Sequence, residues 1–214
     1  MNQHPSTSGL KLDESDLILI KEAINNGGKI WENEVIEPVK KKIKAFFRQA
    51  LNEQCCYCRR DTTDEFNMVL DIEHILPKSV FNHFMFSPFN LSISCKRCNM
   101  EIKKEDTSFL FDVTLAKEQH DDSSNYQFLH PNFDVYAHHI NVEIYRYGES
   151  RLIKYVVLSN SLKGIYTKEY FKLDLLERDS FDSAQGLDVQ ELKYSQLMDR
   201  EIISEIEQLF KGHG

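Results

Sequence analysis

Two pairs of cysteines constrain this chain more than any other feature. Cys55 and Cys58 form one C-x-x-C pair, and Cys95 and Cys98 form a second pair after residues 59–94. Each pair can present two thiolates on one side of a turn or helix start, and two pairs complete a tetrahedral four-sulfur site for zinc. Such a site leaves no open coordination position, so we predict that this zinc is structural.

The fifth cysteine, Cys56, lies inside the first pair, and we expect that it is not a ligand. An odd number of closely spaced cysteines fits metal binding in a reducing compartment better than a disulfide framework, with buried free thiols as the alternative. The segment from Met1 to Leu10 lacks the apolar stretch of a secretion signal, and no apolar run is long enough to span a bilayer. We therefore expect a cytoplasmic protein without membrane contact.

The charge of the chain is unevenly distributed. Its formal net charge is -8, which by itself argues against a nucleic-acid ligand. Between Lys40 and Lys104, however, 12 Lys and Arg residues outnumber 7 Asp and Glu residues. A local positive balance of this kind suits contact with phosphates.

The segment between the cysteine pairs holds an acid–histidine pair before a proline. It reads LDIEHILPK over residues 70–78, and it is followed by Asn90-Leu91 and by Asn99 directly after the last cysteine. This order resembles the four-cysteine branch of the HNH endonuclease family over residues 55–104. The resemblance implies a ββα-metal module, also called a His-Me finger, that hydrolyses phosphodiester bonds.

The chemistry explains why such residue types are needed. An imidazole that titrates near neutrality can take a proton from water, and a hard divalent cation on oxygen ligands keeps positions open for phosphate. By the resemblance, His74 is the general base, Glu73 and Asn99 hold a catalytic Mg²⁺ or Mn²⁺, and Asn90 fixes the loop that orients His74. In a regular strand Glu73 shares a face with Asp71 and not with His74, so the strand must end or bulge there, and Asp71 is a reserve ligand.

Basic and aromatic side chains near this motif are candidates for substrate contact. Lys103, one helical turn after Asn99, can reach a phosphate, with Lys96 and Arg97 adding charge nearby; a solvated side chain is the alternative. A second basic stripe comprises Lys41, Lys44, Arg48, Arg59 and Arg60, and a solvated helix face explains it equally well. Four phenylalanines at positions 81, 84, 86 and 89 fit a core better than a base-stacking surface.

The fold class expected from these patterns is α+β. Helices are predicted over 13–26 and from Pro38 onward, strands over 140–147, 152–159 and 165–173, and a helix over 187–211, with a connection over 111–124. We expect three parts: an N-terminal tail and helix (1–39), the HNH nuclease module (40–110), and a C-terminal β-hairpin and helical region that binds a partner (111–214).

The segment from His130 to His139 contains three histidines and an acid. A second metal site is one interpretation of this segment, and a turn that leads into a strand is the favoured one. The order His130-Pro-x-x-Asp134, hairpin, helices resembles, more loosely, the PtuB-type HNH subunits of Septu anti-phage defence systems. That resemblance implies bacterial defence together with an ATPase partner of the PtuA type.

Together these features predict a metal-dependent endonuclease, and the resemblance to the HNH family implies DNA as its substrate. Cleavage of RNA, including tRNA, stays open because nothing in the chain reports recognition of a 2′-hydroxyl. The alternative from another class is a non-catalytic zinc module that binds nucleic acid or protein. The two differ at His74 and Glu73, which a binding module does not need.

Overall fold

The computed structural model describes residues 9–63, 69–147 and 150–177 of the chain. The described residues divide between two compact units, one with residues 9–63, 69–143 and 154–177 and the other with 144–147 and 150–153. The domain boundaries expected after residues 39 and 110 both fall inside the first unit, and the three-part division stays a prediction.

Four α-helices and four strands are defined within the described residues. The helices are α1 (Glu14–Asn26), α2 (Glu37–Ala50), α3 (Val113–Glu118) and α4 (Leu162–Tyr170). The strands are β1 (Leu70–His74), β2 (Leu91–Cys95), β3 (Ile140–Tyr147) and β4 (Ser150–Val157). The mixture of helices and small antiparallel sheets confirms the α+β class. No helix in these ranges has the length and hydropathy needed to cross a membrane.

Local sequence signals set the ends of the two N-terminal helices, as predicted. Asp13 caps α1 in a capping box with Asp16, and Gly27 follows the helix with a φ of 68°, which favours glycine. α2 begins at Glu37, with the proline in its first turn. Its apolar face (Val39, Ile43 and Phe47) is fully buried, and the helix packs against both β1 and β2.

The β1 and β2 strands form the sheet that carries the acid–histidine motif. They pair antiparallel in continuous register, from Leu70 opposite Cys95 to His74 opposite Leu91. The pairing contains no bulge, and β1 ends at His74. A π-helical turn over Arg97–Lys103 follows β2. The order strand, strand, helical turn is the one expected of a ββα unit, while its assignment to the HNH fold stays a prediction.

The second sheet is the β3–β4 hairpin, so the two strands predicted there are confirmed. The third predicted strand, over 165–173, is wrong, because α4 occupies most of that segment. The hydroxyl of Ser161 accepts a hydrogen bond from the Gly164 amide and caps this helix. A Cβ at Gly164 would lie 2.8 Å from the carbonyl oxygen of His139, so only glycine allows α4 to lie this close to the residue before β3.

Two further predictions concern the connection after the motif and the end of the chain. The connection over 111–124 contains the short helix α3, which the Asp112 carboxylate caps by accepting hydrogen bonds from the amides of Thr114 and Leu115. The helix predicted over 187–211 lies outside the described residues.

Candidate active site and metal centre

The four paired cysteines come together in one buried cluster. The sulfur atoms of Cys55, Cys58, Cys95 and Cys98 all lie within 4.8 Å of one another. Tetrahedral zinc with Zn–S bonds of about 2.3 Å requires sulfur–sulfur separations of about 3.8 Å. The sulfurs of Cys58 and Cys95 are 3.8 Å apart. Four soft thiol ligands at this spacing can hold a zinc ion.

Backbone contacts from several elements build this metal centre. The Cys56 amide donates a hydrogen bond of 3.0 Å to the Ile93 carbonyl, which joins the first pair to β2. The turn that contains the first cysteine pair ends at Arg59, whose φ is 54°. The Arg59 amide donates a hydrogen bond to the Cys55 carbonyl and closes this turn. From β4, the Tyr155 hydroxyl donates to the Cys58 carbonyl at 2.7 Å.

Cys56 is buried but does not belong to the four-sulfur cluster. Burial, together with the neighbouring thiol of Cys55, raises the pKa of Cys56 well above its usual value. The expectation that Cys56 is not a ligand agrees with this placement.

An open groove of about 490 Å³ lies beside the β1–β2 sheet. His74 and Asp71 line it from β1, and Asn99 lines it from the π-helical turn. Its other lining residues are Trp31, Glu37, Lys40, Lys41, Lys44, Ile72, Pro77, Lys78, Met100, Lys104 and Glu105. Five lysines against three acids give the groove a net positive charge.

His74 is almost buried, with 8% of its surface exposed, yet it lines this groove. Its Nε2 lies 3.1 Å from the carbonyl oxygen of Met85. A carbonyl can only accept a hydrogen bond, so Nε2 carries the proton and Nδ1 keeps its lone pair. Burial, followed by the nearby Lys78 ammonium, lowers the pKa of His74 to about 3. The imidazole is therefore neutral at pH 7.

Glu73 faces the interior and does not line the groove. Its carboxylate is fully buried: Oε1 accepts a hydrogen bond from the Tyr57 hydroxyl at 3.0 Å, and Oε2 accepts one from the Ser94 hydroxyl at 3.2 Å. Nζ of Lys103 lies 2.9 Å from Oε1. The expected sharing of one ion by Glu73 and Asn99 does not fit this placement, because these three partners occupy the Glu73 carboxylate in the interior whereas Asn99 lines the groove.

The basic residues predicted to contact phosphate lie in three different environments. Lys103 is 1% exposed and also donates to the His74 carbonyl at 2.9 Å, so it is not at the surface where a phosphate could reach it. The Arg97 guanidinium donates to the carbonyls of Phe171 and Lys172 just after α4. Of the three, Lys96 alone is exposed, although it does not line the groove.

Asn90 is fully buried and holds the loop that follows β1. Its side-chain oxygen accepts a hydrogen bond from the Leu76 amide at 2.6 Å. Its side-chain nitrogen donates to the carbonyls of Leu76 and Phe84. The same loop contains Met85, whose carbonyl holds His74. This geometry matches the expected supporting role of Asn90, which stays a prediction.

The second basic stripe is divided between the groove and structural contacts. Lys41 and Lys44 line the groove, whereas Arg48 forms an ion pair with Glu53 and Arg59 stacks over the ring of Tyr136.

The aromatic and histidine-rich segments are mainly structural. Phe81 and Phe84 are buried, as expected of a core. His130 is buried against the ring of Phe133, in a turn that leads toward β3. Among the residues that the structure describes, the cysteines are the one group that meets the geometry of a metal site.

Comparison with known proteins finds one informative similarity. The chain is 26% identical over 168 residues to the Septu protein PtuB of Bacillus thuringiensis, and the match covers 78% of this chain and 52% of that protein. The chain therefore spans about half the length of the curated relative it matches. No protein-family model and no solved structure matches the chain.

Sequence reasoning assigned no role to several residues of the groove, among them Trp31, Lys40 and Lys78. Trp31 lies in a 3-10 turn between α1 and α2, more than forty positions before His74. No motif spacing connects it to the histidine. Its identity as the single tryptophan of the chain was the one available signal.

Proposed function

We propose that this chain is a metal-dependent endonuclease of the HNH type, with His74 as its general base. The observation that carries the proposal is the positively charged groove that His74, Asp71 and Asn99 all line. A neutral imidazole, a carboxylate and an amide oxygen in one open site are the groups that phosphodiester hydrolysis uses.

His74 is suited to accept a proton from a water molecule. With Nε2 donating to the Met85 carbonyl, the lone pair of Nδ1 is the one available for the proton. The depressed pKa keeps that lone pair free at neutral pH. The hydrogen bond to Met85 stabilises the imidazolium once the proton has transferred, because the carbonyl oxygen accepts from a more acidic N–H.

Asp71 and Asn99 would hold the catalytic divalent ion. Their carboxylate and amide oxygens are hard ligands suited to Mg²⁺ or Mn²⁺, which when bound would stabilise negative charge on the phosphate oxygens. Glu73 is less suited as a ligand because its carboxylate is buried beside the ammonium of Lys103. We assign Glu73 a supporting role, in which it anchors the lysine that binds the His74 carbonyl.

DNA is the proposed substrate, with RNA as the second candidate. The groove lysines can neutralise backbone phosphates of either polymer. The zinc ion held by the cysteine cluster would be structural, since four thiolates leave it no open position.

The proposed biological role is that of a nuclease effector in bacterial anti-phage defence. Its support is the similarity to the Septu protein PtuB. We further propose an ATPase partner of the PtuA type, which can be sought by co-purification of the natively expressed chain.

The test compares His74→Ala with His83→Ala, in which the substituted histidine is exposed on the same loop. Zinc-loaded proteins are incubated with supercoiled plasmid or with RNA, with Mg²⁺ or Mn²⁺, alone and with any co-purified partner. We expect His74→Ala to abolish cleavage while retaining zinc and nucleic-acid binding, and His83→Ala to cut normally. Wild-type cleavage by His74→Ala would refute the catalytic assignment. Binding without cleavage by the wild type and its partner would favour the non-catalytic zinc module.

A second pair of variants tests the metal ligands. We expect Asp71→Asn to raise the Mg²⁺ concentration needed for half-maximal cleavage without loss of folding. Glu73→Gln should lower the stability of the protein and leave that concentration unchanged. The opposite pattern would return the ligand assignment to Glu73.

A further inference from the structure

Trp31 stands directly against His74 in the groove. The centroids of the two rings are 4.3 Å apart and their planes are nearly perpendicular, at 82°. Phe86 supports the indole from another side, with centroids 5.5 Å apart. The indole is only half-buried, so part of its surface faces the groove.

The position of Trp31 is fixed by α2 as well as by the two rings. Nζ of Lys40 donates a hydrogen bond of 3.3 Å to the Trp31 carbonyl and lies 6.0 Å from the ring centroid. The same ammonium is paired with Glu37 at 2.9 Å. The indole is thus held in place beside the proposed base.

Positive charge surrounds this aromatic surface. Lys41 and Lys104 are exposed at the groove, and Lys78 is half-buried there. Burial lowers the pKa of Lys44, and the cations of Arg48 and Lys96 act in the same direction. The Asp71 carboxylate acts in the opposite direction. An aromatic plane beside several cations is the combination that single-stranded nucleic acids bind, with phosphates on the cations and a base on the ring.

From this juxtaposition we infer that Trp31 stacks a nucleobase adjacent to the scissile phosphate. The inference rests on the proposed function and specifies its substrate. A base can stack on Trp31 only when it has left its own duplex stack. The preferred substrate is therefore single-stranded or locally unpaired nucleic acid, rather than intact duplex.

The single tryptophan makes this inference directly measurable. All indole emission of the protein comes from position 31. The zinc-loaded protein, without added Mg²⁺ so that the substrate stays intact, is titrated with a single-stranded oligonucleotide, its blunt duplex, or inorganic polyphosphate. We expect the single strand to change the emission strongly and the duplex to change it weakly. Polyphosphate binds the lysines without a base, so it should leave the emission nearly unchanged.

Variants separate stacking from a merely structural role. Loss of one base–aromatic stack predicts that Trp31→Leu binds a dye-labelled single strand about 5- to 150-fold more weakly, with unchanged polyphosphate binding. Trp31→Phe keeps an aromatic plane and should stay within about threefold of wild type. The matched control is Phe111→Leu, since Phe111 is 69% exposed and does not line the groove. In cleavage assays, Trp31→Leu should raise the KM for the single strand by the same factor.

The inference is overturned if a dye-labelled single strand binds, as the fluorescence anisotropy of its dye shows, without changing the emission of Trp31. Equal single-strand affinity of Trp31→Leu and Phe111→Leu would also overturn it. If Trp31→Leu does not fold, the emission titration of the wild type and the single-strand affinity of Trp31→Phe still test the inference. These measurements need no cleavage, so a protein that stacks single strands but never cuts them would refute the proposed nuclease and leave only the base stacking on Trp31.

Discussion

The buried ion pair between Lys103 and Glu73 leads to a quantitative prediction for Lys103→Met. Both side chains are 1% exposed, and the charged atoms are 2.9 Å apart. Methionine keeps most of the apolar length of lysine but removes the ammonium. The substitution therefore leaves the carboxylate of Glu73 buried with hydroxyl partners only.

The expected loss can be worked out from this geometry. At 2.9 Å and an effective dielectric constant of about 20, the attraction between the two charges is about 6 kcal/mol. Part of this attraction offsets the cost of removing both groups from water. Removal of one partner of such a pair typically costs about 3–5 kcal/mol. With a urea dependence of about 2 kcal/mol per M, the unfolding midpoint should fall by about 1.5–2.5 M.

The assay is urea unfolding of zinc-loaded protein at constant zinc concentration, followed by circular dichroism. Lys104→Met, at the neighbouring exposed position, is the matched control and should change stability by less than about 0.5 kcal/mol. Adding Glu73→Gln to Lys103→Met removes the stranded charge. We expect a coupling energy of about 2–3 kcal/mol in the resulting double-mutant cycle.

Two results would refute this reasoning. The first is a loss below about 1 kcal/mol for Lys103→Met, comparable to that of Lys104→Met. The second is a coupling energy near zero, which would mean that the stability effect of Lys103 does not depend on Glu73. Either would return Lys103 to the group of candidate phosphate contacts.

Two other perturbations test the metal centre and the histidine. We expect Cys95→Ser to lose zinc and unfold, whereas Cys56→Ser keeps one equivalent of zinc by elemental analysis; a well-folded, zinc-free Cys95→Ser would contradict the structural role. Because the folded-state pKa of His74 is about 3 and the unfolded value is about 6.5, the unfolded state takes up the proton first as pH falls. From pH 7 to pH 5, wild type should therefore lose about 2 kcal/mol more stability than His74→Gln in urea unfolding, and equal losses would show that His74 is not buried as a neutral group.

Much of the candidate site was predictable because its signals are local in sequence. The C-x-x-C spacing fixes which thiols can converge, and the four sulfurs do lie together. Asp13, Gly27 and the proline at the start of α2 act within one helical turn, which is why the helix limits were correct. The strand predicted over 165–173 was wrong because the apolar residues of this segment suit a strand as well as a helix. The cap at Ser161 favours the helix.

The sequence by itself determined the chemistry available to this protein. It supplies four paired thiols that can bind one metal ion, the imidazole of His74 just after two acids, and the side-chain amides of Asn90 and Asn99. Only the tertiary structure decided which acid faces the groove and which is buried. The Tyr57 hydroxyl and the Lys103 ammonium hold the Glu73 carboxylate in the interior, whereas Asp71 and Asn99 both line the groove. The contact between Trp31 and His74 was likewise decided by packing of distant segments, which no local pattern records.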